Sequence, residues 1–183
     1  MVNRNFTPFP TLKTERLTLR QLLVDDQQDV FALRSDAEVN KYLGRAPSQT
    51  VDEAINFINM IDENVKNNNA IYWAISLTST TKFVGTICLY NFSIEKNSCE
   101  IGYELLTKFQ GQGIMKEAIE VVINYAFQTL KVHKIVAFTH NENLNSTKLL
   151  TKVNFVKSKE TDTQNPNFSI FTLTLSQTSP VSP

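Results

Sequence analysis

The feature that most restricts how this chain can fold is a series of three strand-like runs that ends in two closely spaced glycines. IYWAISL (71–77), FVGTICLY (83–90) and SCEIGYELL (98–106) are rich in β-branched and aromatic residues, and short polar stretches around 78–82 and 95–97 separate them. Runs linked this way are expected to pair as an antiparallel meander. FQGQGIMKEA (109–118) follows at once. From Ile114 onward, Met115, Ala118, Ile119, Val122, Ala126, Phe127 and Leu130 recur at helical spacing as one long apolar stripe.

The rest of the chain fits around that unit. Residues 14–22 alternate Leu17 and Leu19 with polar neighbours, which reads as a strand. Asp25 is placed to cap a helix reaching about Ser35. Pro47 and Ser48 introduce a second helix in which Ala54, Ile55, Ile58, Ile61 and Val65 share a face, and Asn67, Asn68 and Asn69 end it. Downstream, KIVAFT (134–139) reads as a strand, LNSTKLLTKV (144–153) as a helix and FSIFTLTL (168–175) as a last strand. The expected class is mixed α/β.

A chain of 183 residues with 42% apolar content is expected to form one domain with a sizeable core. That domain is expected over 11–176, between an arm at 1–10 and a disordered tail at 177–183. Lys plus Arg and Asp plus Glu balance at 18 each with no dense basic run, which argues against nucleic acid or an acidic membrane as partner. Cys88 and Cys99 form no disulfide framework and are read as buried, reduced thiols. No run approaches ~18 apolar residues and MVNRNFTPFP carries no signal core. A soluble, cytoplasmic monomer or homodimer is expected. His133 and His140 make no metal-ligand spacing with the cysteines, so no metal is expected and neither histidine is given a role. Tyr72 and Trp73 are expected in the core, with contacts to an acceptor along the wall of a cleft as the second role.

With only five glycines in the chain, the pair at 111 and 113 calls for a reason. The first turn of a helix offers free N–H groups and partial positive charge to an anion. Glycines there let phosphate oxygens approach the backbone, and Lys116 adds a full charge one turn in. A turn needed only for tight geometry is the competing explanation. The G-x-x-x-x-G-K-[ST] loop is absent, and G-x-G-x-x-G fails at its third glycine, where Lys116 stands.

Gln110-Gly111-Gln112-Gly113-Ile114-Met115, following a strand, resembles the Gln-x-x-Gly-x-(Gly or Ala) pyrophosphate loop of the GNAT acetyltransferase superfamily. TERLTLRQL, EIGYELLTKFQGQGIMKEA and NENLNSTKLLTKVNF, in that order, are similar to the RimJ/RimL-like branch that acetylates ribosomal-protein N-termini. The resemblance implies an α+β acyl-CoA N-acyltransferase fold, with a mostly antiparallel sheet of about six to seven strands flanked by helices. It implies acetyl-coenzyme A as co-substrate. Its pyrophosphate would lie on Gln110 to Lys116, and its pantetheine arm would pair beside Tyr103, Glu104 and Leu105 in a slot where that strand splays from KIVAFT. Asn143 would bond the pantetheine amides. Two positions depart from the family pattern. Met115 replaces the last Gly or Ala of the loop, and Asn154 replaces a Gly, a mild change because Asn tolerates the left-handed conformation of a helix end.

The implied reaction is attack of a neutral amine on the thioester. A backbone N–H near Leu105 is the expected oxyanion donor. Glu100 and Glu104, four apart, are the candidate bases; they would share a sheet face if no bulge intervened, but the resemblance implies a strand bulge. An α-amine acceptor needs neither. The tyrosine acid common in relatives is missing, because Leu150 stands in its place. Ser146 is the alternative donor to the leaving sulfur, with a helix N-cap as the competing role for Ser146 or Asn143. The acceptor is expected to be a protein or peptide N-terminus, with a small amine such as a polyamine or antibiotic, or a non-catalytic acyl-coenzyme A sensor, as alternatives.

Overall fold

The meander forms, and the glycines open the long helix that follows it. The computed structural model describes residues 4–162 and 165–175. The tail expected at 177–183 lies outside the described residues, as does the start of the arm. In chain order the elements are β1 (Leu12–Lys13), β2 (Leu17–Gln21), a 3₁₀ turn (Val24–Asp26), α1 (Gln27–Ser35), α2 (Ala37–Asn40) and α3 (Val51–Lys66). Next come β3 (Ile71–Leu77), β4 (Phe83–Ser93), β5 (Ser98–Leu105), a 3₁₀ turn (Thr107–Phe109) and α4 (Ile114–Gln128). The chain closes with β6 (Lys134–His140), α5 (Leu144–Lys152), β7 (Val156–Thr161) and β8 (Phe168–Thr174).

Among the described residues all the strands join one sheet of eight, in the order β1-β2-β3-β4-β5-β6-β8-β7. Every pairing is antiparallel except β5 with β6. The class is the expected one, with more strands than the six to seven anticipated. The additions are the two edges, β1 and β7.

Period-two alternation explains how the layers assemble. Tyr72 and Trp73, neighbours on β3, face opposite ways. Trp73 meets Tyr125 of α4 edge-on at 5.6 Å, and Tyr72 meets Phe57 of α3 edge-on at 5.6 Å. The sheet is thus sandwiched between α4 on one face and α1 and α3 on the other. Both aromatics are buried as expected. The arm is tied to the same core: Phe6 is buried, and the Trp73 indole N–H donates to the Pro10 carbonyl at 2.8 Å.

The cap of the first helical segment differs from the sequence reading. Asp26, not Asp25, accepts the Leu23 N–H at 2.8 Å. Arg20 selects it, gripping both Asp26 oxygens at 2.7 and 2.8 Å.

The feature that shapes the site is a divergence in the sheet. β5 and β6 pair only through Ser98↔Lys134, Cys99↔Ile135 and Glu100↔Val136. Beyond that β6 stays with β8 to His140↔Phe168, and β5 stays with β4 to Gly85↔Leu105. The result is a wedge-shaped opening between the C-terminal halves of β5 and β6.

Candidate active site

The floor of the wedge comes from ladder parity. Leu106 donates its N–H to Val84 at 2.9 Å, so in an antiparallel ladder the even-numbered residues of β5 exchange bonds with β4. Tyr103 and Leu105 therefore turn their N–H groups toward the opening, where the expected oxyanion donor is needed. The Leu105 carbonyl is held by the Gln110 side-chain amide at 3.0 Å. Gln110 thus fixes the strand end to the start of the glycine loop.

Gly111 and Gly113 both have positive φ, 74° and 77°, the left-handed region that favours glycine. Gly113 is the N-cap of α4. A Cβ at Gly111 would meet no atom within 4 Å, and one at Gly113 would meet only the Arg16 Nη2 at 3.5 Å. The space before the first turn of α4 is open, as a phosphate cradle requires. Ile114 and Met115 bury their side chains, so Met115 points away from the loop. Lys116 does not reach back to it. Its Nζ bonds Glu120 at 2.8 Å, farther along the helix.

The full charge at the loop comes instead from Arg16, which sequence reasoning missed. Its Nη1 donates to the Gln112 carbonyl at 3.1 Å and its Nε to Glu117 at 2.6 Å. Glu117 also accepts the Arg16 N–H at 3.0 Å and the Thr14 hydroxyl. Burial acts to raise the Glu117 carboxyl, but the bonds from Thr14 and Arg16 outweigh it and hold it below its ordinary value. A carboxylate lowered in this way adds stability that is present above its unfolded pKa of ~4.3 and lost as pH falls through the folded value. Glu117→Gln should lower the thermal unfolding midpoint at pH 7, with the difference shrinking toward pH 3. A difference independent of pH would show that this charge contributes nothing.

Glu100 and Glu104 share one sheet face, because β4 and β5 run without a break from Thr86↔Glu104 to Tyr90↔Glu100. The register shift of that pair falls beyond them, between Tyr90 and Ser93. Glu104 accepts from Arg45 on both oxygens, at 2.6 and 2.7 Å, and Asn40 braces Arg45 at 2.8 Å. Arg34 adds a second guanidinium nearby, lowered by burial and then by repulsion from Arg45. Glu100 stands opposite Tyr90 on β4, whose hydroxyl is pushed up by burial and then by the charge of that carboxylate.

On the opposite face, Asn143 caps α5, its side chain accepting the Ser146 N–H at 3.1 Å. The cap role considered for either residue falls to Asn143. Ser146 keeps its hydroxyl free of that duty, and it lies 2.9 Å from the Tyr103 hydroxyl. Leu150 is buried. Asn154 takes a positive φ of 67° just after the helix. His140, given no role from sequence, stacks on Tyr42 at 5.4 Å and meets Phe168 edge-on at 5.4 Å. With Lys41, Gly44 and Asn165 these rings line a surface depression at the end of β6.

Among the described residues no group of three or more His, Cys, Asp or Glu could hold a metal ion. No helix there is long and apolar enough to cross a membrane.

The chain and its fold both match known proteins. Residues 16–156 match the family model described as Acetyltransferase (GNAT) domain. The chain is 36% identical over 148 residues to the uncharacterized N-acetyltransferase p20 of Bacillus licheniformis, covering 80% of this chain and 83% of that one. It is 29% identical over 165 residues to the [ribosomal protein uS5]-alanine N-acetyltransferase of Escherichia coli, covering 84% and 82%. Its fold matches that of spermidine N-acetyltransferase from Vibrio cholerae, solved with CoA and spermine, at a TM-score of 0.77 and 19% identity, covering 90% and 98%.

Proposed function

The chain belongs to the GNAT acetyltransferase family, and from that premise we propose that it moves the acetyl group of acetyl-coenzyme A to the α-amine of a protein or peptide N-terminus. The residues present fit the cofactor. The open cradle at Gly111 and Gly113 takes the pyrophosphate, with Arg16 beside it. The free N–H edge of Tyr103 and Leu105 takes the pantetheine arm as a strand edge takes another strand. Asn143 would bond the pantetheine amides, and the Leu105 N–H would donate to the thioester oxygen.

One observation carries the choice of acceptor: Glu104, the carboxylate nearest the end of the wedge, is engaged on both oxygens by Arg45. Guanidinium N–H groups occupy both oxygens, so an incoming amine finds no unengaged oxygen there to take its proton. An α-amine with a pKa near 8 is roughly a tenth neutral at pH 7, against a few parts in ten thousand for lysine at ~10.4. Water is enough to collect the proton from the first and not from the second. Two guanidiniums, Arg34 and Arg45, beside one carboxylate also make this face a poor host for a polycation. The depression walled by Tyr42, His140 and Phe168 offers flat surfaces for the first side chains of a peptide. The ribosomal-protein acetyltransferase among the relatives favours the same acceptor class, and two free thiols suit a cytoplasmic setting.

The test compares kcat/KM for a peptide with a free N-terminus against the same peptide N-blocked and bearing one lysine. The free α-amine should react faster, with a rate that rises with pH and levels off near ~8. Preference for the blocked lysine peptide, or for spermidine, would overturn this acceptor. Binding of acetyl-coenzyme A with no turnover on any amine would instead favour a sensor.

A further inference from the structure

The contact between Tyr103 and Ser146 joins two sides of the wedge. Tyr103 belongs to β5, opposite Ile87 of β4, and Ser146 belongs to the first turn of α5. Their hydroxyls are 2.9 Å apart and 43 residues separate them in sequence. No helical hydroxyl is available one turn on, since Leu150 is 1% exposed and faces the core.

A serine hydroxyl carries one proton and two lone pairs, and a phenol likewise has a single proton to donate. If Ser146 donates to Tyr103, it has no proton left for a sulfur. If Tyr103 donates to Ser146, the serine proton is free and the pair forms a chain of donors. We infer that Tyr103 is the positioning residue that aims the Ser146 hydroxyl at the leaving sulfur of coenzyme A. This rests on the assignment of Ser146 to that sulfur.

Several features support the direction. A phenol is the stronger donor of the two, and one hydroxyl donating to the next strengthens the second bond. Burial pushes the Tyr103 hydroxyl up to about 12, partly offset by Ser146, so it stays protonated across the working range. Its backbone pairing in β5 limits how far the hydroxyl can stray. The N-terminal turn of α5 adds partial positive charge beside the sulfur.

In the reaction the amine nitrogen forms its bond to the carbonyl carbon and the C–S bond breaks. The electron pair of that bond goes to sulfur and the ammonium proton goes to water. The departing thiolate accepts the Ser146 hydrogen bond and is protonated from solvent. No proton leaves Tyr103, because the hydroxyl of so weak an acid would be a poor source for a thiolate of pKa ~8.5.

Tyr103→Phe removes one oxygen and little else. It should lower kcat roughly threefold to tenfold while the Kd for acetyl-coenzyme A and the unfolding midpoint hold. Ser146→Ala should lower kcat roughly tenfold to hundredfold, and the double variant should match Ser146→Ala alone, because Tyr103 acts only through the serine. If Ser146→Ala lowers kcat and Tyr103→Phe does not, the inference fails while the role of Ser146 stands. An unchanged Ser146→Ala removes both. Additive losses would make Tyr103 act on its own. A changed Kd with normal kcat would make it a wall of the slot. Either of these last results overturns the positioning role.

Discussion

Gly113→Val is expected to weaken acetyl-coenzyme A binding at least a hundredfold in a protein that still folds. Gly113 holds φ 77° and ψ 0° at the N-cap of α4. A Cβ added there meets no core atom, only the Arg16 Nη2 at 3.5 Å. Steric damage to the protein is therefore small, and the fold loses about 1–2 kcal/mol from the left-handed conformation. The larger penalty falls on the ligand. Charge-assisted bonds from backbone N–H groups to a phosphate contribute about 1.5–3 kcal/mol each. Displacing the pyrophosphate from two of them costs about 3–6 kcal/mol, which is a hundredfold or more at 1.4 kcal/mol per decade. Gly44→Val is the control, with φ 64° and nothing within 4 Å of its Cβ. It carries the same backbone strain away from the loop and should lose stability without losing cofactor affinity. Calorimetry on both variants separates the two effects. Wild-type affinity in folded Gly113→Val would rule out the cradle.

Gly85→Ala is expected to damage fold and turnover together. Gly85 lies opposite Leu105, and a Cβ there would overlap the Glu104 carbonyl oxygen and come within 3.0 Å of the Leu105 Cα. These are backbone atoms, which cannot swing aside like the tip of a side chain. Overpacking of this kind costs about 1–3 kcal/mol, or some 2–4 °C of unfolding midpoint per kcal/mol in a domain of this size. The strand that must give way carries the Leu105 N–H. A shift of about 1 Å at a reacting centre can cost a hundredfold in rate. The measurement is kcat at saturating acetyl-coenzyme A in protein shown to be folded by thermal melting. Normal kcat in a destabilised variant would mean that the Leu105 N–H does not serve the oxyanion.

What the sequence revealed and what it hid divide along a physical line. α3 and α4 were legible because each buries one face and repeats its apolar residues with the helical period. β3, β4 and β5 were legible because they are apolar runs with polar links between them. β7 was not, because VKSKET is a largely exposed edge without alternating apolar residues. β1 and α2 are too short to show a period. The glycine loop and the cap at Asn143 were readable as local motifs. The partners that define the site were not. Arg16 meets Glu117 across 101 positions, Arg45 meets Glu104 across 59, and Tyr103 meets Ser146 across 43. No local pattern marks such pairs, since only the assembled sheet brings them together. The choice of Asp26 over Asp25 belongs to the same class, because Arg20 makes it.

The three residue pairs between β5 and β6 also have a thermodynamic consequence. So short a seam would let β6 to β8 open more readily than the strands on its other side, although one core runs beneath both. Pantetheine running along the free edge of β5 would serve as a ninth strand in all but composition and bind the two sides across the seam. A ligand at a hundred times its Kd adds about 2.7 kcal/mol to the bound state. Hydrogen exchange would show where that energy is felt, as slowed opening of the β6 and β8 amides as much as of the loop that grips the phosphates. The cofactor would thus act as structural mortar as well as reagent, and release of coenzyme A after each turnover would briefly loosen the strands from β6 onward.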